Sequence, residues 1–261
     1  MTADLVADLV AQFDPVSFAR RCGVDPYDWQ IDALRSVAPR EAWVIGRQCG
    51  KSTTAGLLAV HTALYRPGST TLLVSPGQRQ SGELFAKARY FYKVLGRPAG
   101  AVSEAQTTLE TEAGSRIIAV PGGTGGATLR SYSADLILID EAAQVDDATY
   151  TAVRPMVATR QGRIILLSTP WGREGFYADA ATGADAGWVI REVSAHDILD
   201  RAFLDRERAS MTATDYQREY ENSFEALTAG IWSEAQWNAL SDPSVVSLAA
   251  RLAAFTGGSD V

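Results

Sequence analysis

Eight residues, GRQCGKST (46–53), stand directly behind the apolar run Ala42-Trp43-Val44-Ile45. A glycine-bounded loop ending in Gly-Lys-Ser, where a buried run gives way to the helical period of KSTTAGLLAVHTALY, constrains the fold more than any other stretch. Such a loop turns a strand into a helix and aims backbone N–H groups and the helix amino terminus at one point, which suits a bound phosphate. The spacing is one residue short. The usual pattern, G-x-x-x-x-G-K-[ST], has four residues between its glycines, whereas Gly46 and Gly50 enclose three: Arg47, Gln48 and Cys49. In the phosphate-binding reading, Lys51 neutralises the β- and γ-phosphates, the Ser52 hydroxyl holds Mg²⁺, and Thr53 continues the first turn. The bland alternative is a helix amino terminus of no function.

The rest of the chain repeats this strand-to-helix alternation. Residues 3–37 read as short helices punctuated by Asp14-Pro15 and Asp25-Pro26. From Glu41, short apolar runs alternate with amphipathic segments: AWVI, TTLLVS, ADLILID, GRIILLS and WVIREV as strands, with SGELFAKARYFYKVL and the Pro155-interrupted ATYTAVRPMVAT as helices. TTLETEAGSRIIAVP reads as a hairpin turning at Ala113-Gly114-Ser115. Two charged helices follow, DRAFLDRERAS and TDYQREYENSF. Aliphatic strands separated by helices predict an α/β fold with a mainly parallel sheet covered on both faces.

The second half carries groups that complement the loop. LILIDE places Asp140 and Glu141 at the carboxyl end of a buried strand, where ligands of open α/β sheets bind. An acidic pair there is otherwise a solvated turn or a helix start. Beside a Gly-Lys-Ser loop, Asp140 serves a hydrated Mg²⁺ and Glu141 takes a proton from the attacking water. LLSTP ends the next strand, and Ser168 and Thr169 are candidates to bond the γ-phosphate or its water; a plain polar turn before Pro170 is the competing reading. Charge on the γ-phosphate needs an arginine, worth roughly 10³–10⁵ in rate. Arg47 lies in the loop, and Arg130 ends the glycine-rich stretch GGTGGATLR, placed to reach a neighbouring subunit. Cys49 sits where a helix start favours a thiolate, although a small spacer is the simpler reading.

Composition excludes other classes. The 261 residues carry a net charge of −7, which argues against tight sequence-independent DNA binding by the isolated chain. Lys87, Arg89 and Lys93 share one helical segment and read as a solvated face. Two cysteines and two isolated histidines, His61 and His196, make neither a zinc signature nor a disulfide framework. The opening MTADLVADLV lacks the basic start of a signal peptide, and no apolar run is long enough to cross a bilayer.

GRQCGKST, LILIDEAA and LLSTP, in that order, resemble the large terminase subunit of tailed bacteriophages, whose P-loop commonly carries Arg-Gln and this shorter spacing. YDWQIDAL resembles its adenine motif, implying Gln30 as base contact with Trp29 or Tyr27 packing beside it. TTLLVSPGQRQSGELFAKA and SFEALTAGIW resemble its second-strand motif and the close of its ATPase domain. The resemblance covers roughly residues 25–233 and implies a P-loop NTPase of the additional-strand, catalytic-glutamate type. It divides the chain into amino-terminal helices with the adenine motif (1–40), an ATPase core (41–225) and small carboxyl-terminal lid or linker helices (226–261). It implies ATP and Mg²⁺ as cofactors, Glu141 as catalytic carboxylate, Ser168-Thr169 as coupling motif and Arg130 as the arginine acting in trans. As partners it implies double-stranded DNA, the portal protein, the small terminase subunit and other copies of the chain in a ring, without a membrane, in the cytoplasm of an infected bacterium. Asp260 resembles the first aspartate of the nuclease domain that normally follows; with no further acidic ligands after it, nuclease activity is not expected of this chain.

Overall fold

The structure, a computed structural model, describes residues 3–98, 101–122 and 132–224. Among the described residues, eight strands form one sheet: β1 (Arg40–Ile45), β2 (Thr70–Ser75), β3 (Ala101–Glu104), β4 (Thr108–Thr111), β5 (Arg116–Pro121), β6 (Leu136–Asp140), β7 (Arg163–Ser168) and β8 (Val189–Val193). Their order is β3-β4-β5-β2-β6-β7-β1-β8. The six strands from β5 to β8 are parallel neighbours. Only the edge formed by β3, β4 and the β4–β5 hairpin is antiparallel. The hairpin turns where the sequence marks it, with Gly114 at φ +76°.

β7 lies between β1, which leads into the glycine loop, and β6, which ends in Asp140-Glu141. One additional strand therefore separates the lysine-bearing loop from the acids. This is the strand order implied by the resemblance.

Nine helices are found among the described residues: α1 (Ala3–Phe13), α2 (Pro15–Arg21), α3 (Asp28–Arg35), α4 (Lys51–Tyr65), α5 (Gln78–Val94), α6 (Asp147–Val153), α7 (Gly175–Thr182), α8 (Arg201–Ser210) and α9 (Ala213–Tyr220). Side chains alternate across the strands, so the sheet has two apolar faces. Trp43, Ile45, Leu73, Leu136, Leu138 and Leu167 pack on one side with α4, α5 and the amino-terminal helices. Val44, Leu72, Ile137, Ile139 and Leu166 pack on the other with α6 and α7. Phe18, Ala19 and Leu34 belong to the same apolar cluster as α4. No helix among the described residues is long and apolar enough to cross a membrane.

Two elements escape the sequence reading. β3 is a four-residue edge strand, and α7 is built from GFYADAAT, whose buried face is mostly alanine around Tyr177. Neither carries the bulky apolar period that announces a strand or helix.

Buried ion pairs brace the edge of the sheet opposite the glycine loop. Glu41, fully buried near the amino end of β1, accepts from Arg163 Nη2 at 2.6 Å, Arg191 Nε at 2.7 Å and Trp43 Nε1 at 3.1 Å, tying β7, β1 and β8 together. Asp135, just before β6, accepts from Thr70 N and pairs with Arg66 and Arg160. A cleft of about 540 Å³ also opens at that edge, beside Arg40, Tyr150, Arg154 and Ile164. It faces the amino ends of the strands, not the carboxyl ends where α/β ligands bind.

Candidate active site

The loop from β1 into α4 is held on three sides. Gly46 N donates to Val193 O at 2.9 Å, and Arg47 N donates to Glu219 O at 2.7 Å, so β8 and α9 both grip it. A Cβ on Gly46 would stand 2.7 Å from the backbone nitrogen of Ala195, so the close approach of Ala195 leaves room only for glycine. Gln48 and Gly50 are left-handed, at φ +62° and +90°, and this tightens the turn into α4.

Gln30 lies beneath the loop. It is 3% exposed, its Nε2 donates to Thr54 Oγ1 at 2.7 Å and Gly50 O at 3.4 Å, and its Oε1 accepts from Tyr27 N at 2.9 Å. Both amide hydrogens are thus directed at protein atoms, and contact with a base requires this side chain to turn. Trp29 packs edge-on against Trp43 at 5.8 Å, with its indole Nε1 buried and without a partner. Beside it a cleft of about 510 Å³ opens between Pro26, Tyr27, Trp29, Val193, Asp197 and Ile198.

Lys51 is the first residue of α4 and is nearly buried. Its ammonium folds back to donate to Ile45 O at 2.6 Å and Gly46 O at 3.4 Å. Burial weakens its hold on the proton, and the carboxylates of Glu141 and Asp140 oppose that effect. One residue on, Ser52 Oγ donates to Asp140 Oδ2 at 3.4 Å, across 88 positions of sequence. The loop and the acidic pair therefore form one site.

Asp140 is 7% exposed, and its pKa rises from 3.8 to about 6. Burial is the larger cause and the neighbouring Glu141 charge the second; Lys51 and the hydrogen bond from Glu141 N to Oδ1, at 3.1 Å, act the other way. This carboxylate is short of positive charge. A hydroxyl and a carboxylate, both hard oxygen donors, suit Mg²⁺, which keeps several waters and takes remaining ligands from phosphate. Among the described residues, no group of three or more His, Cys, Asp or Glu offers a rival metal site. Glu141 follows in a left-handed conformation at φ +50°, an unfavourable conformation for a non-glycine residue and one often kept at functional sites.

Other residues singled out in the sequence are placed as follows. Ser52 and Thr53 are half-buried in the first turn of α4. The Arg47 side chain is largely exposed and its guanidinium lies 3.8 Å from the Glu219 carboxylate. Cys49 is fully buried and burial pushes its thiol up to about 11, so the spacer reading fits and a thiolate does not. Ser168 ends β7 on the side of the sheet shared with Leu166, opposite α4, with its hydroxyl buried and unpartnered; its carbonyl accepts from Tyr177 Oη at 2.9 Å. Thr169, 6% exposed, is the next residue. Arg130 and Asp260 lie outside the described residues.

Three further residues support the site and carry no sequence signal. Glu219 in α9 holds Arg47 through both backbone and side chain. Asn222 donates from Nδ2 to Val44 O at 3.1 Å and Val193 O at 2.9 Å, clasping the ends of β1 and β8. Arg218 stacks its guanidinium 4.1 Å from the ring centre of Trp171, two residues past Thr169. In QREYENSF these read only as alternating surface charge.

Comparison with known proteins agrees with the fold. The chain superposes on the large terminase ATPase domain of Thermus phage P74-26 with a TM-score of 0.71 at 21% identity, covering 80% of this chain and 97% of that one. A large terminase from a thermophilic bacteriophage, in complex with ADP, gives 0.59 at 10% identity, over 76% of this chain and 53% of the other. The HK97 bacteriophage large terminase gives 0.59 at 15% identity, over 76% and 50%. In sequence, the terminase large subunit of Thermus phage G20c is 28% identical over 178 residues, a match spanning 61% of this chain and 37% of that longer protein. Residues 43–242 match the model of the T4likevirus-type terminase large subunit, N-terminal region, and the chain belongs to that family.

Proposed function

We propose that this chain binds Mg·ATP between the glycine loop and the Asp140-Glu141 turn and hydrolyses it as the motor domain of a viral genome-packaging terminase. The reading rests chiefly on the junction of Lys51 and Ser52 with Asp140. A similar fold adds support: the large terminase of the thermophilic bacteriophage is described in complex with ADP and with ATP-γ-S.

In this reading the Lys51 ammonium leaves the carbonyls of Ile45 and Gly46 for phosphate oxygens. That exchange is favourable because charge-assisted bonds to an anion outweigh bonds to neutral carbonyls. Free N–H groups at the start of α4 add to the cradle. Ser52 and Asp140 would hold the cation, which would supply positive charge against the phosphates. Glu141, turned out of the strand by its left-handed backbone, accepts the proton of the attacking water. Gln30 couples the loop to α3, and the cleft beside Tyr27 and Trp29 receives the base.

Arg47 supplies positive charge in cis and Arg130 supplies it to a neighbouring subunit, so assembly into a ring governs turnover. The work done is movement of double-stranded DNA into a procapsid, with portal protein and small subunit as partners, in the cytoplasm of the infected cell. A helicase-like ATPase would share this site, and stimulation by single-stranded nucleic acid in place of portal and procapsid would favour it.

The test is phosphate release by wild type, Lys51→Ala and Glu141→Gln, with nucleotide binding measured alongside. Lys51→Ala is expected to lose both. Glu141→Gln is expected to bind Mg·ATP normally while turnover falls roughly 10²–10⁴-fold. Unchanged turnover in Glu141→Gln would remove Glu141 from the chemistry, and a wild type that binds nucleotide without releasing phosphate would be a non-catalytic nucleotide-binding module.

A further inference from the structure

Ser75 closes β2 with its side chain fully buried and its hydroxyl without a hydrogen-bond partner. Its backbone is occupied: the carbonyl accepts from Gly122 N at 2.6 Å. Buried hydroxyls are nearly always bonded, to protein or to water, so an orphan needs an explanation.

The register supplies one. β2 runs parallel to β6 with Leu73 opposite Leu138 and Val74 opposite Ile139, and Ser75 and Asp140 are the next residues, the last of each strand. Leu73 and Leu138 both pack into the core beneath α4 and α5. Two residues further on, Ser75 and Asp140 point to that same face. Ser52, in the first turn of α4, bonds Asp140 from this side of the sheet. The buried acid is thus flanked by Ser52 from the helix and by Ser75 from the adjoining strand. Ser168, orphaned on the strand beyond, shares the opposite face with Leu166 and is not equivalent.

A Mg²⁺ ion bound through one hydroxyl, one carboxylate and phosphate keeps waters in its remaining positions. Where bulk solvent is excluded, those waters need protein acceptors. We propose that Ser75 is a further positioning residue of this site, its hydroxyl accepting a hydrogen bond from a water in the coordination shell of the divalent cation. The assignment rests on the nucleotide reading above. It differs from that reading in what it requires: metal affinity that depends on Ser75 while metal-free nucleotide affinity does not.

The experiment uses Mn²⁺, whose free concentration is read by electron paramagnetic resonance, titrated into the full chain with ADP present. Fluorescent ADP in EDTA gives the metal-free affinity, and a urea midpoint reports folding. In Ser75→Ala, Mn²⁺ affinity of the ADP complex is expected to fall roughly five- to tenfold, the loss of one hydrogen bond. Metal-free ADP affinity should be unchanged, and the urea midpoint equal or higher, since an orphan hydroxyl has been removed. Ser75→Thr, which keeps the hydroxyl, should restore the metal affinity. Equal Mn²⁺ affinity in wild type and Ser75→Ala overturns the proposal, as does a parallel loss of metal-free affinity and stability. A wild-type chain that binds no ADP, with or without metal, overturns the nucleotide reading and this assignment with it.

Discussion

The Asp140 carboxylate is buried, and its pKa rises from 3.8 to about 6 because burial and the Glu141 charge both disfavour ionisation. The folded chain therefore holds this proton more tightly than the unfolded chain does. Between those two values the folded state carries more protons, so stability falls as pH rises through the window. At ~1.36 kcal/mol per pH unit, the ionised carboxylate costs the fold about 3 kcal/mol above about pH 7 and almost nothing below about pH 3. Asp140→Asn removes that charge. It keeps one oxygen for Ser52 Oγ but loses the second acceptor, now used by Glu141 N, a loss of about 1 kcal/mol. The variant is expected to be about 2 kcal/mol more stable than wild type near pH 8 without nucleotide, a rise of about 4–8 °C in Tm for a chain of this size. The advantage should shrink on acidification and vanish near pH 4. Hydrolysis should be lost, and Mg²⁺ with nucleotide should stabilise wild type far more than the variant. Urea midpoints of both proteins from pH 4 to pH 8 check the argument. An advantage that does not change with pH, or a variant less stable at pH 8, would refute the claim that Asp140 is an under-compensated buried charge.

At the far edge of the sheet, Glu41→Ala would strand Arg163 and Arg191 beside a buried void. A loss of about 3–5 kcal/mol is expected in urea unfolding, with nucleotide affinity of the folded fraction unchanged. In Gly46→Ser, the new Cβ meets the Ala195 backbone nitrogen at 2.7 Å. Strain of about 1–3 kcal/mol is expected, together with weaker nucleotide binding, because the loop must move; thermal denaturation with and without Mg·ADP measures both.

How much of this is legible in the sequence follows from how local each feature is. The P-loop, the acidic turn and the alternation of buried strands with helices are encoded by neighbouring residues, and each reads from a dozen positions at a time. β1, β2, β6 and β7 and the helices between them appear where the apolar periods place them. β3 is too short to show a pattern, and α7 hides its helical face in alanine. Gln30 reads as important from its motif, yet its grip on Thr54 and Gly50 depends on how α3 lies beneath α4, which no local pattern reports.

By itself, the sequence determined the class of fold, the two halves of the site and the family resemblance, because backbone geometry and burial patterns act over a few residues. Strand order was decided in three dimensions: only packing sets β7 between β1 and β6 and closes 88 positions into one contact. The roles of Glu219, Asn222 and Ser75 were decided there too. A serine at a strand end is ordinary until the adjoining strand ends in a buried, charge-starved aspartate.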